Sequence, residues 1–221
     1  MTSRLENLRR GLLPARSPGP AVALLGPGIS LRPGRVHEAT GPARRSFALL
    51  AARATEGPVL WIQPAWTAER LNPDGFHALA APGRFLFAWP RRAEDALWTM
   101  EEALRSGLVP LVIADLQAPP PLTPVRRLQL AAEAGSKAGG PPLGLLLVPG
   151  DGGAAGVESR WHMTPAHTAE ATAWRLERRR ARLDPPGTWL VRRERQRFRA
   201  QRLAAPAETP PAAPSPAPVP G

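Results

Sequence analysis

The sequence predicts an α/β fold: a central, mainly parallel sheet with helices on both faces and an antiparallel C-terminal edge. Two observations carry this. Between Gly34 and Val148, short apolar runs alternate with stretches of helical spacing. Beyond Val148 the texture changes to polar–apolar alternation around Gly and Pro turns, the mark of strands with one wet face.

The elements follow in order. Gly34-Arg35-Val36-His37-Glu38-Ala39 reads as a short strand entering a Gly41-Pro42 turn, and residues 46–54, small and apolar, suit a helix. Residues 58–62 form a buried strand, 76–80 a helical turn and 84–88 another strand. The clearest helix is 94–106, where Ala93, Ala96, Leu97, Met100 and Leu104 fall at helical spacing and Gly107 supplies the stop. A strand over 109–116 ends around Asp115. Thr123 is placed to cap a helix running to Ala134, with Pro124 at its first position. Residues 143–148 make a fifth buried strand, and 160–163, 172–180 and 188–195 are antiparallel.

Around this domain, placed at 34–200, the ends differ in composition. Residues 1–13 suit a short basic helix with Leu5, Leu8 and Leu12 on one face, a candidate for packing onto a neighbouring subunit or partner. Residues 14–33 read as a proline-rich linker, and 204–221, mostly Pro and Ala, as a disordered tail. The longest apolar runs are far shorter than the about 20 residues that span a bilayer. Arg4, Glu6, Arg9 and Arg10 precede any apolar run, so no signal peptide is evident and a cytoplasmic protein is expected, with association to the nucleoid open.

The chain holds 29 Lys and Arg against 18 Asp and Glu, a net charge of +11. Lys137 is the only lysine. An arginine excess of this kind favours acidic partners, nucleic acid first. It also follows from a GC-rich genome, and both readings stand at this point. The absence of Cys excludes disulfides, thiol catalysis and Cys-based metal sites. His37, His77, His162 and His167 are scattered, Glu101, Glu102 and Glu133 read as solvent-facing helix carboxylates, and no acid–base pair or nucleophile elbow is present.

One stretch bears on chemistry. A strand, a Gly-Pro turn and a small-residue helix stand where a phosphate loop, GxxxxGK[ST], holds phosphates with its amides and Lys and a metal with its hydroxyl. Gly41 matches the first glycine and Pro42 follows it. Ser46 replaces the second glycine, Phe47 the lysine and Ala48 the hydroxyl. An ordinary strand–helix connection explains Gly41-Pro42 equally well.

Residues 59–124 resemble the RecA core in the phrases Arg70-Leu71-Asn72-Pro73, Glu94-Asp95-Ala96-Leu97, Ala103-Leu104-Arg105-Ser106-Gly107 and Leu111-Val112-Ile113-Ala114-Asp115. The resemblance puts Asp115 at the Walker B position. Where the family carries its catalytic glutamate, this chain has Gln63-Pro64-Ala65, and Glu69 is displaced. Over about residues 30–195 the chain also resembles ImuA-type proteins, RecA-like components of bacterial SOS mutagenesis cassettes. That likeness rests on Gly34–Glu38, on Ala93–Gly107, on the run Thr123-Pro124-Val125-Arg126-Arg127-Leu128-Gln129-Leu130-Ala131-Ala132-Glu133-Ala134, and on Glu158-Ser159-Arg160-Trp161, Trp174-Arg175-Leu176-Glu177 and Gly187-Thr188-Trp189-Leu190-Val191.

The resemblance implies a RecA-like P-loop NTPase core with a degenerate nucleotide site, no cofactor and no enzymatic activity. It implies an accessory role in translesion synthesis, with an ImuB-like Y-family polymerase homologue and an error-prone C-family DNA polymerase as partners, and with RecA and DNA as further candidates. A SulA-like regulator of cell division and an ATPase with a non-standard loop are the alternatives. Arginines crowd the last segment, and Arg178, Arg179, Arg180, Arg192, Arg193 and Arg195 are the candidate nucleic-acid or partner contacts; a solvated strand face with a frayed tail, or docking on an acidic protein, competes. Trp61 and Trp98 read as core. Trp161, Trp174 and Trp189 recur on successive strands and read as one packed layer more than as a base-stacking platform.

Overall fold

The computed structural model describes residues 21–26, 28–195 and 197–204. A two-stranded ribbon, β1 (Val22–Ala23) and β2 (Ser30–Leu31), comes first. The main strands follow as β3 (Arg35–Thr40), β4 (Val59–Ile62), β5 (Phe85–Ala88), β6 (Leu111–Asp115), β7 (Leu143–Val148), β8 (Ser159–Pro165), β9 (Thr172–Ala181), β10 (Gly187–Glu194) and β11 (Arg197–Arg202). Four α-helices lie between them: α1 (Arg44–Ala54), α2 (Pro73–Phe76), α3 (Ala93–Ser106) and α4 (Leu122–Ala138).

The nine main strands make one sheet in the order β11-β10-β9-β8-β3-β7-β6-β4-β5. From β8 to β5 every pairing is parallel, and from β8 to β11 every pairing is antiparallel. The predicted mixed sheet with an antiparallel C-terminal edge is therefore the observed one.

Two-sided burial explains the continuous apolar runs. On β7, Leu143, Leu145 and Leu147 pack with Phe47, Leu50 and Ala51 of α1. Leu146 and Val148 point the other way, onto Met100 and Leu104 of α3 and Val125 and Leu128 of α4. The period-2 alternation of a strand makes both faces apolar when both are covered. Gly107 ends α3 in the left-handed region at φ 66°, where glycine avoids a Cβ clash. Gly135 lets α4 meet that same turn, since a Cβ there would stand 2.0 Å from the Leu104 carbonyl oxygen.

Several expectations need correction. Val22–Ala23 and Ser30–Leu31 lie within the stretch read as linker, yet they pair as the β1–β2 ribbon, and Leu24, Ile29 and Leu31 are buried in the core. Helix α4 begins at Leu122 after Pro121, with no side-chain cap, so Thr123 is inside it; it also runs four residues beyond Ala134. Trp61 is fully buried, but Trp98 is 59% exposed because it lies on the outer side of α3. Glu101 is buried and bound by Arg105 and Arg127, whereas Glu102, beside Arg105, and Glu133, beside Arg35, have the expected exposed setting. The stretch after β10, a frayed tail in the competing reading of a solvated strand face, is strand β11 (Arg197–Arg202). The expected N-terminal helix and the tail beyond Ala204 fall outside the described residues.

Candidate functional site

In open α/β sheets, ligands sit at the carboxyl ends of strands where connections leave to opposite faces. Here β3 leads to α1 on one face, and β6 leads through α4, on the other face, to β7 beside β3. The carboxyl ends of β3 and β6, on either side of β7, carry the Gly41 turn and Asp115.

The turn between β3 and α1 is only Gly41-Pro42-Ala43. Gly41 has φ 86°, and a Cβ there would meet the Met163 carbonyl oxygen at 2.5 Å and the His162 ring at 2.9 Å. Strand β8 thus presses directly onto the turn. The amides that a phosphate loop would offer are used within the chain. Gly41 N–H donates to Gly150 O at 3.1 Å, Ala43 N–H to Met163 O at 3.0 Å and Arg44 N–H to Gly41 O at 3.2 Å, while Pro42 has no N–H.

Ser46, Phe47 and Ala48 are not in a loop but in the first turns of α1. Phe47, at the lysine position, is fully buried and stacks on Trp161 with ring centroids 5.6 Å apart. Ala48 is fully buried as well.

Asp115 ends β6 with 1% of its side chain exposed. Arg45 Nε donates to its Oδ2 at 2.6 Å, and Arg44 Nε lies 3.5 Å from its Oδ1. Arg45 also bonds Glu69 at 2.7 Å, so the displaced Glu69 serves as a second counter-charge to this arginine. Burial works to lower the Arg45 pKa, but Asp115 and Glu69 outweigh it and raise the value above normal. Gln63 is buried after β4 and donates its side-chain N–H to Glu69 O. At the ends of β3 and β6, two guanidinium groups therefore share one buried carboxylate.

Next to it lies a cluster that no sequence motif announced. Glu38 is fully buried. Its Oε1 accepts from Gly153 N–H at 2.9 Å and Ala154 N–H at 3.0 Å, and Oε2 accepts from Arg160. The only sequence signal was an acidic residue inside an apolar strand. His37 is buried against Ser159 Oγ at 2.6 Å and Arg32, and burial pushes its pKa down to about 4. His162 bonds Thr40 at 2.8 Å; burial and then the charge of Arg179 lower its pKa. Among the described residues, no group of three or more His, Asp or Glu side chains could hold a metal ion.

The second candidate surface is the antiparallel extension, where the structure sorts the arginines by face. Arg178 is the correction: only 5% exposed, it lies over the rings of Trp161 and Trp189 at 5.5 and 5.3 Å and donates to Gly28 O and Pro185 O. Burial lowers its pKa. It is a packing residue and offers no fork to a ligand. Trp161 and Trp189 lie 5.8 Å apart and Trp174 meets Phe198 at 6.1 Å, so the tryptophans pack as one layer on the α1 side.

Arg193 is half-buried, lies opposite Phe198 on that packed side and donates to Arg195 O. Arg195 is the one described non-glycine residue with positive φ, 56°, at the β10–β11 turn. Arg179 pairs with Asp151 and Glu177. Arg180 and Arg192 are exposed and have no ion-pair partner among the described residues. Strand β11 adds Arg197 and Arg199, both exposed.

No helix among the described residues is long and apolar enough to cross a membrane. No family model matches the chain, and no curated protein sequence matches it.

Proposed function

We propose that this chain is a RecA-like accessory protein without nucleotide hydrolysis, of the ImuA type. In this reading it links an ImuB-like protein and an error-prone C-family polymerase to damaged DNA or to a RecA filament. The observation that carries the reading is the set of internal contacts at the Gly41 turn: Arg44 and Arg45 on Asp115, with the turn's amides bonded within the chain. The position of the turn, between the central strand β3 and a helix, supports descent from a phosphate-binding fold.

The segments that carry the resemblance also have structural work. Gln129 accepts from Val36 N–H at 3.1 Å and donates to Val36 O and Gly156 O, pinning α4 to β3. The tryptophan strands form the layer under the antiparallel extension. Exposed Trp66, Trp89 and Trp98 give the far half of the molecule apolar surface suited to protein contact.

The test is genetic. Deleting the gene should lower damage-induced mutation frequency to the level seen when the ImuB-like partner is deleted. Unchanged induced mutagenesis contradicts the reading, and loss of damage-induced filamentation instead supports a cell-division regulator.

A further inference from the structure

We propose that the outer face of β9, β10 and β11 binds the sugar–phosphate backbone of duplex DNA. Register defines this face. Trp174, Leu176, Trp189 and Val191 point to the core, so their neighbours Arg175, Leu190, Arg192 and, across the ladder, Arg197, Arg199 and Gln201 share the opposite side. Helices α3 and α4 cover that side of the sheet only over its parallel half.

One cross-strand pair on this face works against stability, although Glu194 stands opposite Arg197. Arg192 stands directly opposite Arg199, and like charges facing across a ladder destabilise a sheet. Arg199 has Glu194 at 2.8 Å and Arg175 has Glu177 at 2.8 Å, but Arg192 and Arg197 have no ion-pair partner among the described residues. Positions two apart on a strand are separated by about 7 Å and neighbouring strands by about 4.8 Å. Cations at several such positions fit a ligand of repeated negative charge better than a single anion.

Chemistry narrows the ligand. All the cations are guanidinium groups, whose planar forks match phosphate oxygens. Leu190, half-buried, is the only large apolar side chain on the face, so the aromatic anchors of a protein interface and the apolar stripe of a membrane-surface element are missing there. The tryptophans lie on the packed side, so the face offers no ring for base stacking, which single-strand binders use. What is left is backbone contact with a duplex. The choice of DNA over RNA rests on the reading above; the duplex geometry does not.

The test uses the full chain with labelled DNA of about 25 base pairs, the matching single strand and a duplex RNA, read by anisotropy across salt concentrations. Duplex DNA should bind tightest and weaken linearly on a log–log salt plot. R192E/R199E should lose at least about tenfold in affinity and flatten the salt slope by about 2. R192Q/R199Q, which removes charge without reversing it, should fall between the two. R91E/R92E, a charge-matched change at exposed sites beside β5, should stay within about twofold.

Four results overturn the proposal. They are no duplex binding at low salt, equal losses in the two Glu variants, tighter binding of the single strand, and competition by polyglutamate as effective as by DNA. Tighter binding of duplex RNA overturns the choice of DNA. Wild-type DNA binding with unchanged induced mutagenesis would sink the pathway and leave this surface standing.

Discussion

Arg45 Nε donates to Asp115 Oδ2 at 2.6 Å, where the central strand β6 meets the first turn of α1. The carboxylate is shielded from water and is the shared counter-charge of Arg44 and Arg45. Removing one partner of a buried pair leaves the other unpaired, typically at a cost of about 3 kcal/mol or more. Asp115→Asn should lower stability by about 3 kcal/mol in urea unfolding, and Asp115→Leu with Arg45→Leu should recover part of that loss. If Asp115→Asn unfolds like the wild type, the carboxylate is not what holds these arginines.

Gly41 takes φ 86° with the Met163 carbonyl in the space of a Cβ. Both strain and clash oppose a side chain, so Gly41→Ala should cost about 2–4 kcal/mol, read as a lowered urea midpoint at unchanged slope.

Phe47, which the proposed reading aligns with a phosphate-loop lysine, stacks on Trp161. Phe47→Lys places a charge in the core. It should unfold the protein or cost at least about 3 kcal/mol, without creating ATP binding. Folded Phe47→Lys protein that binds ATP would mean the loop can still open.

Arg178 and Arg180 are two residues apart with opposite roles. Arg178→Ala removes two carbonyl bonds and the ring contacts with Trp161 and Trp189, and should cost about 2 kcal/mol. Arg180→Ala should stay within about 0.5 kcal/mol, since that side chain is exposed. Equal melting temperatures for the two variants contradict this division.

His37 is neutral when folded, with its pKa held down to about 4 from 6.5. The unfolded chain therefore binds more protons between about pH 4 and 6.5, so stability falls as pH drops through that window and is unaffected above it. The loss attributable to His37 is about 3 kcal/mol, and His37→Gln should flatten the curve of stability against pH. A slope unchanged in His37→Gln places the titration elsewhere.

Much of the fold was legible because its strands advertise themselves. Leu143–Val148, apolar at every position, suits only a strand covered on both faces, and Gly107 marked the end of α3. The β1–β2 ribbon was hidden because proline density outweighed three apolar residues that tertiary packing buries. Strand β11 was hidden because arginine-rich alternation has no apolar face strong enough to show itself. Trp98 was misplaced because helical spacing gives a period and not the sign of the face.

At the Gly41 turn, the sequence showed Ser46, Phe47 and Ala48 where a working phosphate loop would need Gly, Lys and a hydroxyl. It did not show what replaces them, since Arg44 and Arg45 meet Asp115 only through the fold, as Glu38 meets Arg160. In the same way, nothing in the run 178–180 distinguishes the buried arginine from its neighbours until the register of β9 is known.

In the proposed reading, the strand ends at Gly41 and Asp115 are held by contacts within the chain and take no nucleotide. Calorimetry of the wild-type chain with ATP and magnesium tests it most directly. The account predicts no saturable heat up to about 1 mM ligand, a binding free energy weaker than about −4 kcal/mol. Stoichiometric micromolar binding that Asp115→Asn abolishes would contradict it.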